Sequence, residues 1–125
     1  MCDLVVLDDD ELVRVTLGEA LREAGYVVAE AAAPAEALAI LRAEPDCKVL
    51  VTDLHLAGPG GPPSGLKLAE QARTVHPGLH VIYITGRPDV LAPIAIAHDD
   101  RSLSKPFLPA ALVDMVGELL ERDVG

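Results

Sequence analysis

Tryptophan is absent, and Tyr26, Tyr83 and Phe107 are the only aromatic residues of the chain. That leaves no platform on which nucleic-acid bases can stack. A basic surface is missing as well: 10 lysines and arginines stand against 20 aspartates and glutamates, a formal net charge of -10, with no Lys/Arg cluster to interrupt it. Such a field repels a phosphate backbone, so the expected partners are proteins and not DNA or RNA. Cysteine is scarce. Cys2 and Cys47 form neither a disulfide framework nor a zinc-ligand spacing, and they read as reduced thiols. No apolar window approaches a membrane span, and the N-terminus runs into Asp3 and a short Val/Leu segment without a basic stretch. These absences predict a cytoplasmic protein with no membrane partner.

What is present is aliphatic. Half of the 125 residues are hydrophobic, mostly Ala, Val, Leu and Ile, enough for one core without metal or disulfide staples. A single domain over residues 1–125 is expected, with no output domain. Short β-branched runs at Leu4 to Leu7, Tyr26 to Ala29, Val49 to Val51 and Leu79 to Ile84 predict strands, and their near-continuous apolarity predicts burial on both faces. Between them, Val13, Leu17, Ala20, Leu21 and Ala24 form a helical stripe closed by Gly25, and Pro34 suits the first turn of a second helix carrying Leu38 and Leu41. A third helix is expected after Gly65. A last one carries Pro109 near its start and Leu112, Val116, Leu119 and Leu120 on one face. In residues 86–104, Pro88 and Pro93 predict a short or distorted fourth helix, with a fifth strand over Ser102 to Ser104. Alternating strand and helix is the pattern of a doubly wound α/β protein with helices on both faces of a parallel sheet.

Ligands of such sheets bind beyond the carboxyl ends of the strands. Strand one runs into Asp8, Asp9 and Asp10, strand three into Asp53, strand four into Thr85 and strand five into Lys105. Strand two offers only Ala31 to Ala33. The topology therefore gathers carboxylates, a hydroxyl and an ammonium at one edge. Clustered carboxylates make a hard oxygen site of the kind Mg²⁺ takes. A carboxylate such as Asp53 can also accept a phosphoryl group, with Mg²⁺ and Lys105 offsetting charge on its oxygens and Thr85 donating a hydroxyl. Taken singly, each residue has a plainer use: Asp8 with Glu11 has the spacing of a capping box, Asp53 can begin a turn, and Lys105 can be a solvated charge. Their joint occurrence at four strand ends of five favours a single site.

Val6-Leu7-Asp8-Asp9, Val51-Thr52-Asp53, Ile84-Thr85-Gly86 and Lys105-Pro106-Phe107 together resemble the receiver domains of two-component response regulators over essentially the whole chain. The resemblance implies a five-stranded, flavodoxin-like sheet in the order 2-1-3-4-5. It implies that Asp53 is phosphorylated, that Asp8, Asp9, Asp53 and the backbone carbonyl of His55 hold Mg²⁺, and that Thr85 and Lys105 contact the phosphoryl group. The Lys105-Pro106 peptide would be cis. The implied donor is a sensor histidine kinase or a histidine phosphotransfer protein, and a downstream protein is the target. The chain would be a stoichiometric acceptor, not an enzyme, able to assist its own phosphotransfer and dephosphorylation. It would act as a single-domain regulator or as the receiver of a hybrid histidine kinase.

Two departures stand out. Leu56-Ala57 replaces the family's Met-Pro, with the following glycine delayed to Gly65, and Ser102 occupies a position that is often aromatic. The Gly58 to Gly65 stretch is read as a loop insertion, because Leu66 stands where a phosphate-binding loop needs lysine. Asp99-Asp100 is read as a solvated turn. His55, His76, His80 and His98 lack metal-ligand spacing and are expected at the surface. A rival reading takes the Asp8-x-Asp10 pair and Thr85 as those of a haloacid-dehalogenase-type phosphatase with Asp8 as nucleophile, but leaves Asp53 without a role.

Overall fold

The computed structural model describes residues 2–54, 64–85 and 101–124. Five strands, β1 (Leu4–Leu7), β2 (Val28–Ala31), β3 (Val49–Asp53), β4 (His80–Thr85) and β5 (Arg101–Ser104), form one sheet in the order β2-β1-β3-β4-β5. Every pairing is parallel, with Leu4 opposite both Val28 and Val49, Asp53 opposite Ile84, and Thr85 opposite Ser104. The described helices are α1 (Glu11–Glu23), α2 (Pro34–Ala43), α3 (Ser64–Val75) and α4 (Pro109–Val124). The short fourth helix expected before β5, together with Asp99-Asp100, lies outside the described residues.

Side-chain alternation along the central strands builds a core on each face. Val5, Leu7, Leu50 and Tyr83 face α2 and α3, meeting Leu38, Leu41, Leu68 and Ala72. Leu4, Val6, Val49, Val51 and Ile84 face α1 and α4, meeting Leu17, Leu21, Leu112 and Val116. Continuous burial along β1 and β3 explains why both read as unbroken apolar runs. Leu119 is buried in the second core and Leu120 packs against it, as the stripe on the last helix predicts.

Strand two begins two residues later than the apolar run suggested. Gly25 adopts a left-handed φ of 101°, Tyr26 N–H donates to Leu21 O, and Val27 N–H to Asp3 Oδ2. These bonds commit Tyr26 and Val27 to the turn, and pairing starts only at Val28.

The cysteines overturn the reduced-thiol expectation: Cys2 and Cys47 are joined in a disulfide with their Cα atoms 5.0 Å apart. Each lies two residues ahead of a member of the Leu4–Val49 pair, so the parallel register brings them together. Spacing of 45 residues in sequence hides that proximity.

Candidate functional site

The ends of β1, β3 and β4 and the residues following β5 meet at one edge of the sheet. Asp8 follows β1 directly and is buried, its backbone N–H donating to Ala31 O at 3.2 Å. Its Oδ1 accepts from Asp10 N–H at 2.9 Å, whereas Oδ2 is buried with no hydrogen-bond partner among the described residues. Asp9 is exposed beside it. Asp53 ends β3 and is 8% exposed. One carboxylate oxygen from each of Asp8, Asp9 and Asp53 lies within 4.8 Å of the others.

Burial pushes the Asp8 carboxyl up to about 6, reinforced by negative charge on Asp53 and Asp9; the Asp10 amide and the Lys105 ammonium act in the opposite direction. A buried oxygen without a donor and a carboxyl reluctant to ionise are what a hard divalent cation would relieve. The donor set is all oxygen, so the residues present fit Mg²⁺.

Lys105 Nζ lies 3.1 Å from Asp53 Oδ2. The Lys105-Pro106 peptide is cis, and Lys105 N–H donates to Thr85 O at 2.8 Å, which ties the lysine to the end of β4. Thr85 is buried there. The sequence thus placed Asp8, Asp9, Asp53, Thr85 and Lys105 at the right edge; His55 and the residues from 56 to 63 lie outside the described residues.

Asp10 has a separate task. Its Oδ1 accepts from Val13 N–H at 3.2 Å and caps α1, so the helix begins two residues later than an Asp8–Glu11 capping box requires. Asp8 and Asp10 therefore do not converge on a common ligand, which removes the geometric basis of the phosphatase reading. Of the histidines expected at the surface, His76 and His80 are half-buried, and His76 Nε2 lies 2.6 Å from Leu41 O, while His55 and His98 lie outside the described residues. His76 and His80 belong to the edge remote from Asp53.

Two contributions escaped the sequence reading. A Cβ at Gly65 would lie 2.5 Å from Asp53 O and 3.0 Å from Leu54 Cα, so only glycine lets α3 start against the end of β3. Gly65 N–H donates to Leu54 O at 2.9 Å. The delayed glycine after Asp53 is its sequence signal. The other is Arg14, whose Nη1 donates to Asp8 O at 3.0 Å.

Residues 4–117 match the response regulator receiver domain family. The chain is 32% identical to the response regulator receiver protein CpdR of Brucella abortus over 94% of its own length and 95% of the relative's. A solved receiver protein from Sinorhizobium medicae superposes with a TM-score of 0.80 at 26% identity, covering 96% of this chain and 94% of that one. The receiver domain of the hybrid histidine kinase CckA gives 0.76 at 26% identity, covering 94% and 98%.

Proposed function

The chain belongs to the response regulator receiver family and is a phosphoacceptor of two-component signalling, and from that premise we propose that Asp53 is the residue phosphorylated. The observation that carries this reading is the convergence of Asp8, Asp9 and Lys105 on the Asp53 carboxylate. Asp8 and Asp9, with Asp53 itself and the carbonyl of His55, are the residues that would hold Mg²⁺. The bound ion supplies positive charge against the oxygens of the incoming phosphoryl group.

An Asp53 oxygen attacks phosphorus in line. The O–P bond forms as the P–N bond to the donor imidazole breaks, and the imidazole leaves with the electron pair. Lys105, already 3.1 Å from Oδ2, lies within reach of an oxygen on the transferred group and balances its charge. The Thr85 hydroxyl donates to another phosphoryl oxygen, so phosphorylation favours the conformation in which the β4 end has moved toward Asp53. Water later hydrolyses the acyl phosphate, with the same residues assisting its formation and its loss.

The family's partner is a histidine kinase or a histidine phosphotransfer protein. A groove of about 420 Å³ beside Lys105, lined by Leu12, Val13, Thr16, Leu17, Phe107 and Pro109, supports docking of the histidine-bearing helix there. Leu12 and Leu108 are 77% and 75% exposed next to it. Incubation with acetyl phosphate and Mg²⁺ should place one alkali-labile, hydroxylamine-labile phosphoryl group on each wild-type chain and none on Asp53→Asn. Equal labelling of the variant would refute the assignment.

A further inference from the structure

Arg14, which the acceptor chemistry does not use directly, joins three parts of the fold. Its Nη1 donates to the backbone carbonyl of Asp8 at 3.0 Å, and its Nε lies 3.5 Å from Glu30 Oε1 on β2. Glu30 Oε2 in turn accepts from Arg22 Nη1 at 2.8 Å, and Arg22 Nη2 donates to Val28 O at 3.0 Å. The Arg14 and Glu30 side chains are only 16% and 22% exposed, so this pair is largely buried between α1 and the edge strand, with the exposed Arg22 at its outer end. Glycine in mid-helix is ordinarily destabilising. Here Gly18 sits where a Cβ would come within 3.0 Å of Glu30 Oε2 and 3.2 Å of Arg22 Nη1, so α1 gives up a side chain to admit the network.

Resting on the reading of Asp8 as a Mg²⁺ ligand, we infer that Arg14 is a positioning residue that, clamped by Glu30, holds the Asp8 main chain so that the Asp8 and Asp9 carboxylates converge with Asp53. The geometry gives it a distinctive sign. As a bare charge, a guanidinium near a cation site opposes the cation, so its loss would tighten Mg²⁺ binding by Coulomb's law. As a geometric clamp on a ligand's own backbone, its loss weakens binding, as removal of outer-shell partners of metal ligands does. The two roles therefore move the affinity in opposite directions.

Titration calorimetry with MgCl₂ on wild-type, Arg14→Met and Glu30→Gln proteins, with far-UV melting of each, separates them. The inference expects Mg²⁺ to bind about tenfold more weakly to Arg14→Met. Glu30→Gln, which keeps an acceptor but loses the clamp's charge, should weaken binding by a smaller factor, with the fold retained at the titration temperature. Arg14→Lys should restore only part of the loss, because one ammonium cannot replace the forked contact to Asp8 O and Glu30. Unchanged or tighter binding by Arg14→Met would overturn the inference. Should that variant fail to fold, unchanged affinity in Glu30→Gln overturns it equally. Failure of the wild-type protein to bind Mg²⁺ would instead overturn the metal reading beneath it.

Discussion

Replacing Asp8 with asparagine should make the metal-free protein more stable while removing its response to Mg²⁺. The Asp8 carboxyl titrates at about 6 in the folded chain against 3.8 when unperturbed. An acid whose pKa rises on folding favours the folded state only while protonated. Its contribution is fully present below about pH 4 and is lost as the pH climbs through about 6. Well above that, the ionised form costs about 3 kcal/mol, from a shift of roughly two units at about 1.4 kcal/mol each. Asparagine keeps an oxygen to accept from Asp10 N–H, carries no charge, and so escapes that cost. Unfolding entropy of about 2.1 cal/mol/K per residue turns the gain into a rise in Tm of roughly 10 °C. Melting followed by circular dichroism in EDTA at pH 8 should show that rise, shrinking steadily as the pH is lowered toward 4. Excess Mg²⁺ should then raise the Tm of the wild-type chain and leave Asp8→Asn unmoved. An Asp8→Asn protein no more stable than wild type at pH 8, or a gap that fails to close on acidification, would refute the account of Asp8 as a buried, like-charge-strained ligand.

Lys105→Ala should slow phosphoryl transfer to Asp53 by about a hundredfold, the usual effect of removing one preorganised donor at a site of developing charge, while Mg²⁺ still binds; stopped-flow or quench kinetics with a small phosphodonor reads both. Gly65→Ala drives a methyl into the carbonyl of Asp53 and should cost roughly 1–3 kcal/mol in urea denaturation, with acceptance of the phosphoryl group impaired in parallel. Reducing the disulfide, which closes a 45-residue separation, should lower stability by about 4 kcal/mol on the loop-entropy account; equal urea midpoints with and without reductant would contradict it.

Most of the sheet was legible because parallel strands buried on both faces leave plain apolar runs, and because polar residues at their carboxyl ends are exceptions to that pattern. Asp8, Asp53, Thr85 and Lys105 stood out for this reason. Less visible were features that depend on which atom meets which. Asp8 and Asp10 are the same residue type two positions apart, and only the turn geometry gives capping to Asp10 and burial beside Asp53 to Asp8. Arg14 and Glu30 look like ordinary surface charges until β2 is laid beside β1 and α1 crosses it. His76 lies in a polar stretch, yet a contact to Leu41 O across the α2–α3 junction draws it inward. Ser102 carries no signal of its own, but the register sets it opposite Tyr83, which is 2% exposed and held in the core facing α2 and α3.

The disulfide between Cys2 and Cys47 has a meaning beyond stability. It joins β1 and β3 at the ends remote from Asp8 and Asp53, and these two strands carry both carboxylates. In a parallel pair, a slip of one residue would turn each side chain to the opposite face and move Asp8 out of line with Asp53. A covalent tie ahead of Leu4 and Val49 forbids that slip. The bond acts as an alignment pin for the carboxylate cluster, set at the far end of the strands, where it holds the register of Asp8 against Asp53 without occupying any of the space around them.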